Sequence, residues 1–154
     1  MYNLGLLFSK GAGVTQSDVE AATWYRRAAD LDSMQAQGNL GHFYLKGKGV
    51  AQNSEAAVNL FRKAAAKGHA ISLNNLADCY ETGNGVPQDF SKAVKYYRQA
   101  AEKGVAMSML SLGLLLCDGK GAAQDLIEGK DWIQKAADKG YEPAKEKLKE
   151  FSDC

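Results

Sequence analysis

A short loop of the form Gly-x-Gly, followed by a small apolar residue, occurs four times in the chain. The copies begin at Gly11, Gly47, Gly83 and Gly119, so that each starts 36 residues after the one before it. A constant period of this length is typical of repeat proteins, in which every period is one supersecondary unit. The period therefore constrains the fold more than any single segment does, and it predicts an elongated core that neighbouring repeats share.

The segment after each loop is predicted to be a helix, called here the second-type helix. Between Asn53 and Lys67, Ala57, Phe61 and Ala64 recur at intervals of three and four residues, which indicates an amphipathic helix. Large residues and alanine pairs occupy the same places in every copy, and we interpret them as core packing rather than as a cofactor-stacking site. The aligned positions hold Trp24, Leu60, Tyr96 and Trp132, then Tyr25, Phe61, Tyr97 and Ile133, then Ala-Ala at 28–29, 64–65, 100–101 and 136–137.

The ends of the second-type helices are also marked in the sequence. Ser17, Asn53, Asp89 and Asp125 are predicted N-caps, and Glu20 and Glu128 stand at capping-box spacing. Gly68, Gly104 and Gly140 are predicted stops in the left-handed conformation. The first copy has Asp32 at this position. Because aspartate enters that conformation less readily than glycine, we expect local strain or a different turn at Asp32.

The segment before each loop is predicted to be a shorter helix, the first-type helix, which is clearest at Gln35–Lys46. One face carries a small residue, a leucine, a second small residue and a large apolar residue, and this pattern recurs. The positions hold Ala36, Leu40, Gly41 and Tyr44, then Ser72, Leu76, Ala77 and Tyr80, then Ser108, Leu112, Gly113 and Leu116. A single helix pair cannot bury such a face, so stacking of the repeats must supply the stability.

The two ends of the chain differ in character. Glu142–Phe151 keeps Ala144 and Leu148 among charged residues, which predicts a polar capping helix. Met1–Gly5 already matches the interior of a repeat. We therefore expect that upstream residues have been removed, together with any leader that they contained, and that the first helix leaves an apolar face for upstream residues or for another chain.

Composition excludes several classes of partner and favours a reducing compartment. The net charge is +1 and the pI about 7.7, so neither nucleic acid nor an anionic membrane is favoured. The sequence contains no long apolar span, which predicts a soluble protein without membrane insertion. Cys79, Cys117 and Cys154 do not follow the repeat period, which predicts free thiols, two buried and one at the tail, and a cytoplasmic location.

Several of these motifs together resemble the Sel1-like repeat, a relative of the tetratricopeptide repeat. They are Asn39-Leu40-Gly41, Tyr44, Gly47-Lys48-Gly49-Val50, Ala57, Leu60-Phe61 and Lys63–Gly68, with a closer copy at Ala93, Tyr96-Tyr97 and Gln99–Gly104. The resemblance implies an all-α, right-handed α/α solenoid. It implies one domain over residues 1–154, with repeats at about 1–34, 35–70, 71–106 and 107–142 and a capping helix at 143–152.

The resemblance also implies a function, since Sel1-like proteins commonly act as adaptors that assemble protein complexes. The expected function is a non-enzymatic scaffold that binds a protein or peptide. One alternative is a homo-oligomeric structural module that associates through the first helix. A weaker alternative is binding or hydrolysis of β-lactams, which is associated with secreted, cysteine-rich members of the family. Those members carry regularly placed disulfide pairs, whereas Cys79 and Cys117 occupy unrelated repeat positions.

Residues that would carry enzymatic chemistry do not form a recognisable motif. The Gly-x-Gly loops lack the third glycine and the preceding strand of a dinucleotide site, and no phosphate-binding P-loop is present. His42 and His69 are the only histidines, and neither has a metal-ligand partner at suitable spacing. Neither Ser-x-x-Lys nor Gly-x-Ser-x-Gly occurs. The sequence predicts no catalytic residue, no cofactor and no metal.

The partner is expected on the first-type helices, because these helices line the concave surface of a right-handed helical solenoid. Asn3, Asn39, Asn75 and Ser111 share one register position, and they either contact a peptide backbone or bond neighbouring helices. Leu110 and Leu114 are either buried beneath the capping helix or anchors for an apolar segment. The predicted partner-binding residues are Asn39, His42, Asn75, Asp78, Glu81, Leu110, Ser111 and Leu114.

Overall fold

The computed structural model describes residues 1–152, apart from the side chain of Ser152. The described residues form nine α-helices and contain no strand. The helices are α1 (Tyr2–Lys10), α2 (Asp18–Asp30), α3 (Met34–Lys46), α4 (Ser54–Ala66), α5 (Ala70–Thr82), α6 (Phe90–Glu102), α7 (Ala106–Asp118), α8 (Leu126–Asp138) and α9 (Glu142–Ser152). The predicted all-α class is confirmed, with first-type helices at odd numbers and second-type helices at even numbers.

The predicted N-caps of all four second-type helices are confirmed. The side chain of Ser17 accepts a hydrogen bond from the Glu20 amide at 3.2 Å. Asn53 and Asp89 each accept from the amide three residues later at 2.9 Å. Asp125 accepts from the amides of Ile127 and Glu128 at 3.1 and 2.9 Å. Each cap satisfies backbone donors that a helix start otherwise leaves unpaired, which fixes where these helices begin.

Asp32 adopts the left-handed conformation that the sequence predicts to be strained. Its φ is +68°, and it is the one residue other than glycine with a positive φ in the described chain. Gln37 Nε2 donates to its carboxylate at 3.2 Å, and Lys67 forms an ion pair with the carboxylate while donating to the Asp32 carbonyl at 2.7 Å. Side chains from α3 and from the end of α4 therefore hold the turn that glycine makes in the other copies.

The described chain divides into two compact units. Unit 1 comprises Met1–Ser72 with Asn84–Val86, and unit 2 comprises Leu73–Gly83 with the chain from Pro87 onward. In unit 1, α1 packs on α2, α2 on α3 and α3 on α4; in unit 2, α6 packs on α7, α7 on α8 and α8 on α9. The assignment of residues 1–154 to a single domain, with the repeat boundaries given above, stays a prediction.

Within each unit a small residue on the first-type helix lets a bulky side chain of the second-type helix approach its backbone. A Cβ added to Gly41 would lie 2.7 Å from the Phe61 ring, and one added to Gly5 would lie 2.6 Å from the Tyr25 ring. In unit 2, Gly113 meets Ile133 in the same way, at 2.6 Å. The small residue after the leucine of each first-type helix named here therefore allows the two helices to pack closely.

The second glycine of the last three Gly-x-Gly loops makes a contact that the sequence does not reveal. A Cβ added to Gly49 would overlap the carbonyl oxygen of Asp18, at the start of the second-type helix of the preceding repeat. Gly85 stands in the same relation to Ser54 in unit 1, and Gly121 to Phe90 in unit 2. The loop is thus both a turn with positive φ and the point where one repeat rests on the backbone of the one before it.

The capping helix and the cysteines agree with the sequence where the structure describes them. Ala144 of α9 is fully buried against the rest of unit 2, and Cys79 and Cys117 are buried free thiols. Cys154, predicted to be the free thiol at the tail, lies outside the described residues. No helix in residues 1–152 is both long enough and apolar enough to cross a membrane.

Candidate functional site

The first-type helices of unit 1 enclose an open groove that contains two of the predicted partner-binding residues. Its volume is about 240 Å³, and it lies between α1 and α3. It is lined by Leu6, Ser9, Tyr25, Asn39, His42, Phe43 and Lys48. Asn39 and His42 are therefore brought together. Leu6, which occupies the register position of His42 one repeat earlier, and Ser9 lie beside them.

A phenol hydroxyl forms the polar floor of this groove. The ring of Tyr25 is buried, and its hydroxyl hydrogen-bonds the side chains of Ser9 and Asn39. Burial raises the pKa of Tyr25 above its usual value, so the phenol is protonated at neutral pH. Asn39 Nδ2 also lies 3.5 Å from the Tyr2 hydroxyl, as donor. The side-chain amide of Asn39 thus contacts a neighbouring helix, which is one of the two roles that the sequence analysis left open for it.

The rim of the groove is exposed and carries positive charge. His42 is exposed, and its pKa is lowered, first by burial of part of the ring and then by Lys46 and Lys48. Its imidazole is therefore neutral at pH 7 and offers one hydrogen-bond donor and one acceptor. Lys48 is exposed in the loop beside it. The groove can bind a segment that carries a carboxylate together with backbone amides.

The first-type helices of unit 2 repeat the phenol arrangement with an acidic group. The buried Tyr97 hydroxyl donates to Glu81 Oε2 at 2.7 Å and also hydrogen-bonds Ser111. Burial, followed by the bond to Glu81, raises the pKa of Tyr97. Asp78 is exposed one turn before Glu81 on α5. The structure therefore joins Glu81 and Ser111 through Tyr97 and leaves Asp78 facing solvent.

The other predicted residues of unit 2 are half-buried. Asn75 accepts at 3.4 Å from the amide of Asn74, which in turn accepts from Ser108 at 2.7 Å in the interior. Leu110 and Leu114 are both half-buried. Each leucine therefore keeps part of its side chain exposed, where a partner could contact it.

Two residues of this surface, Tyr25 and Tyr97, were assigned by the sequence to core packing alone. Their rings do pack in the core, but their hydroxyls end among the first-type helices. The sequence signal for these hydroxyl contacts is the residue that stands sixteen positions earlier, on the first-type helix of the same repeat. Polar residues accompany the tyrosines, in the pairs Ser9 with Tyr25 and Glu81 with Tyr97, whereas apolar residues accompany apolar ones, in the pairs Leu45 with Phe61 and Cys117 with Ile133.

Groups that serve metal or nucleophilic chemistry are dispersed or protected. Within residues 1–152, no three His, Cys, Asp or Glu side chains are grouped so as to hold a metal ion. Burial, with a smaller effect of Asp78, raises the pKa of the Cys79 thiol to about 11. His69 Nδ1 lies 2.8 Å from Ser72 Oγ at the start of α5. These side chains have packing partners in the core or at its edge.

A larger groove, of about 540 Å³, lies between α2 and α4 in unit 1. Leu60 lines it at the register position where Trp24, Tyr96 and Trp132 stand in the other copies. The smaller side chain leaves the space open. Gln37 is also in its wall, and Gln37 Oε1 is buried without a hydrogen-bond partner. No residue predicted for partner binding lines this groove.

The fold and the surface together define an α-helical repeat protein of the kind that presents stacked helix pairs to other proteins. The Sel1 repeat model matches residues 1–33, 35–69, 70–105 and 106–141. The chain belongs to the Sel1 repeat family, and its fold is the helical solenoid of that family. Sel1 repeat proteins are generally scaffolds for protein interactions and mainly non-enzymatic. Among curated proteins, none is significantly similar to the chain.

Solved structures with this fold come from several bacteria. The chain is 36% identical to c5321, a protective antigen of uropathogenic Escherichia coli with an SLR fold, with a TM-score of 0.90; the match covers 93% of this chain and 31% of that one. It is 31% identical to a Sel1 repeat protein from Oxalobacter formigenes, with a TM-score of 0.87, covering 93% and 58%. Helicobacter pylori cysteine-rich protein B is 26% identical, with a TM-score of 0.64, covering 87% and 96%. The chain thus spans about a third of the E. coli antigen.

Proposed function

We propose that the chain is a non-enzymatic scaffold that binds an extended segment of a partner protein on its first-type helices. The observation that carries the proposal is the groove between α1 and α3. It combines the exposed donors of His42 and Lys48 with a polar floor and is lined by the predicted residue Asn39. Membership of a family of protein-interaction scaffolds supports the same function.

The charges of the two units specify the chemistry of the segment that each one binds. Lys46 and Lys48 flank His42 in unit 1, so unit 1 favours an acidic or C-terminal carboxylate group. Asp78 and Glu81 give α5 of unit 2 an acidic surface next to the half-buried Leu110 and Leu114, so unit 2 favours a basic residue beside an apolar one. Opposite charges on a partner raise the association rate and fix its register.

Peptide selection followed by calorimetry tests the scaffold function. Peptides are selected on the wild-type protein from a random library and then titrated into two surface variants. His42→Ala/Lys48→Glu alters unit 1, and Asn75→Ala/Asp78→Lys/Leu114→Glu alters unit 2. We expect at least one variant to lose about tenfold in affinity, which corresponds to about 1.4 kcal/mol.

The matched control places the same kinds of charge reversal on a second-type helix. Glu55→Lys/Lys63→Glu changes two exposed residues of α4 and is expected to bind the selected peptides as the wild type does. Circular dichroism confirms that every variant is folded. If both surface variants bind every selected peptide with unchanged affinity, the first-type helices are not the binding site.

A second candidate function is self-association through the first helix. Leu4 and Leu7 on α1 are exposed, as is Met1 before it, and an apolar face of this kind marks an interaction site. Multi-angle light scattering over a concentration series measures it directly. A mass that stays at one chain at every concentration would contradict self-association and leave the scaffold function untouched.

A further inference from the structure

Three residues that depart from the repeat pattern, Asp32, Gln37 and Leu60, line one groove of unit 1. This is the groove of about 540 Å³ between α2 and α4, and it is separate from the groove between α1 and α3. Local departures from a pattern that meet in space are expected at functional sites. We propose that this groove binds the indole ring of a tryptophan from a partner protein.

Leu60 is the first departure. The other copies carry an aromatic residue at this register position, Trp24, Tyr96 or Trp132, and each of these side chains is half-buried. The leucine is smaller, and the groove stays open beside it, with Leu40 as further apolar surface. Its volume lies within the range of about 300–1,000 Å³ that is common for ligand sites. An aromatic ring supplied by a partner therefore finds both room and apolar surface in this groove.

Gln37 is the second departure, because Leu73 and Met109 occupy its register position in later copies. Its side chain is 2% exposed, and its Nε2 donates to the Asp32 carboxylate at 3.2 Å and to the Ala29 carbonyl at 3.5 Å. Exchange of the amide nitrogen and oxygen would set Oε1 against two acceptors, so the orientation of the amide is fixed. Oε1 has no hydrogen-bond partner in the described chain. A buried acceptor without a donor is costly, which favours a bound group that donates.

Asp32 is the third departure, and it holds the Gln37 amide in this orientation. Glycine makes the same turn in the other copies, at Gly68, Gly104 and Gly140. A residue other than glycine with a positive φ persists where its surroundings hold it, and such residues are common at binding sites. The Asp32 carboxylate is held by its ion pair with Lys67. Because this carboxylate engages Nε2 of Gln37, the oxygen is the atom of the amide that is left for a ligand.

The lining of the groove indicates a neutral group with one donor. Asp30 and Asp32 carry negative charge and Lys63 and Lys67 positive charge, so the charges balance and neither a cation nor an anion is favoured. Indole combines a large apolar body with an N–H that donates and does not accept. Phenylalanine lacks the donor, and the phenol of tyrosine adds an acceptor. Since Oε1 is covered in the unbound chain, the Gln37 side chain must shift slightly to meet the indole N–H.

A pair of probes that differ in one hydrogen-bond donor tests the contact with Gln37. N-acetyltryptophanamide represents a tryptophan within a chain, and its 1-methyl derivative lacks the indole N–H. In NMR titrations we expect the wild type to bind the first with a Kd on the order of 1 mM, and the second about tenfold more weakly. Gln37→Leu, which carries the residue found at position 73, should bind the two probes alike. A general effect of the substitution on folding would change both affinities together and leave their ratio unaltered.

A ring placed in the groove by substitution tests its location. Leu60→Trp restores the aromatic residue of the other copies, so it should fold, and we expect it to bind N-acetyltryptophanamide about tenfold more weakly or not at all. Leu6→Trp is the matched control, because Leu6 is also a half-buried leucine of unit 1 but lines the groove between α1 and α3. It should bind the probe as the wild type does. Circular dichroism checks that both variants are folded.

Two further measurements identify the source of the indole ring. Peptides selected from a random library should be enriched in tryptophan on the wild type and on Leu6→Trp, but not on Leu60→Trp. Free L-tryptophan, titrated beside the capped amide, should bind no more tightly than the amide. Free tryptophan that binds about tenfold more tightly would make the amino acid itself the ligand and would overturn the assignment to a partner protein.

The inference is overturned if the wild type binds neither probe, or if it binds both with equal affinity. It is also overturned if Gln37→Leu keeps the preference for the N–H, or if Leu60→Trp binds as Leu6→Trp does. None of these results bears on the surface of the first-type helices, which the variants of His42, Lys48 and α5 test separately. Loss of the preference in Gln37→Leu, together with loss of binding in Leu60→Trp, supports the indole site.

Discussion

The hydroxyl groups of Tyr25 and Tyr97 connect core packing to the candidate binding surface. Each ring is buried, and each hydroxyl reaches residues of two first-type helices, Ser9 and Asn39 in one case and Glu81 and Ser111 in the other. A buried hydroxyl without a partner would be costly. The polar residues at these register positions therefore stabilise the fold as well as lining the surface.

Removal of the Tyr97 hydroxyl is expected to destabilise the protein measurably. Tyr97→Phe loses a 2.7 Å bond to a carboxylate, and such bonds contribute about 1.5–3 kcal/mol, near the low end here because Glu81 is half-buried and regains water. Tyr25→Phe loses bonds to neutral groups and should cost about 1 kcal/mol. Urea denaturation measures both. A Tyr97→Phe protein as stable as the wild type would show that this bond contributes nothing.

Asp32 provides a test of backbone strain at a single position. Asparagine adopts a positive φ more readily than alanine, and its side-chain oxygen can still accept from Gln37. We therefore expect Asp32→Ala to unfold at a lower urea concentration than Asp32→Asn. The ion pair with Lys67 is exposed and should matter little, so Lys67→Met is the control and should change the midpoint less than Asp32→Ala.

The helix–loop–helix element depends on a glycine for two separate reasons. Gly49 needs a positive φ of +62° and also has the Asp18 backbone where a Cβ would lie. Gly13 needs a similar φ but has free space around it. Comparison of the two positions separates the conformational requirement from the contact between repeats.

Alanine at the two positions should therefore give different losses. Gly13→Ala is expected to cost about 1–2 kcal/mol from the left-handed conformation alone. Gly49→Ala should cost a further 2–3 kcal/mol or so, because the Asp18 carbonyl belongs to a capped helix and cannot move aside. Thermal and urea unfolding at low protein concentration measure the difference. Equal losses would mean that the contact between repeats tolerates a methyl group.

At the scale of the whole molecule, the stability should depend on pH through the two histidines. Burial lowers the pKa of His69, and burial together with Lys46 and Lys48 lowers that of His42. Between these lowered values and the unfolded value of about 6.5, the unfolded chain binds more protons than the folded one. The free energy of unfolding should therefore fall as the pH drops from 7 to 5.

Replacement of a histidine checks the sign and the source of this dependence. His69→Gln keeps a hydrogen-bonding group near Ser72 but removes the titration, so its stability should change less between pH 7 and pH 5 than that of the wild type. His42→Gln should flatten the profile less, since His42 is exposed and solvent screens its neighbours. Guanidinium denaturation at the two pH values gives the comparison. An unchanged slope in both variants would assign the dependence to carboxylates.

Much of the candidate surface was predictable, and the missing part has a clear cause. The repeat register placed Asn39 and His42 on one helix face, and the structure brings them into one groove. The sequence did not predict that Tyr25 lines the groove, because its register position holds large core residues in every repeat. The informative residue is Ser9, which stands sixteen positions earlier. The half-burial of Leu110 and Leu114 depends on how neighbouring helices pack on α7, which no local pattern reports.

The sequence by itself determined the period, the helix pairs, the four N-caps and the left-handed stops, because each of these depends on residues a few positions apart. The tertiary structure alone decided that the second glycine of the last three loops contacts the start of a second-type helix, and which side chains share a groove. Ser9, Tyr25 and Asn39 are distant in the chain and meet only when α1, α2 and α3 pack. Such contacts are set by the separation and orientation of helices, which follow from the packing of the whole unit.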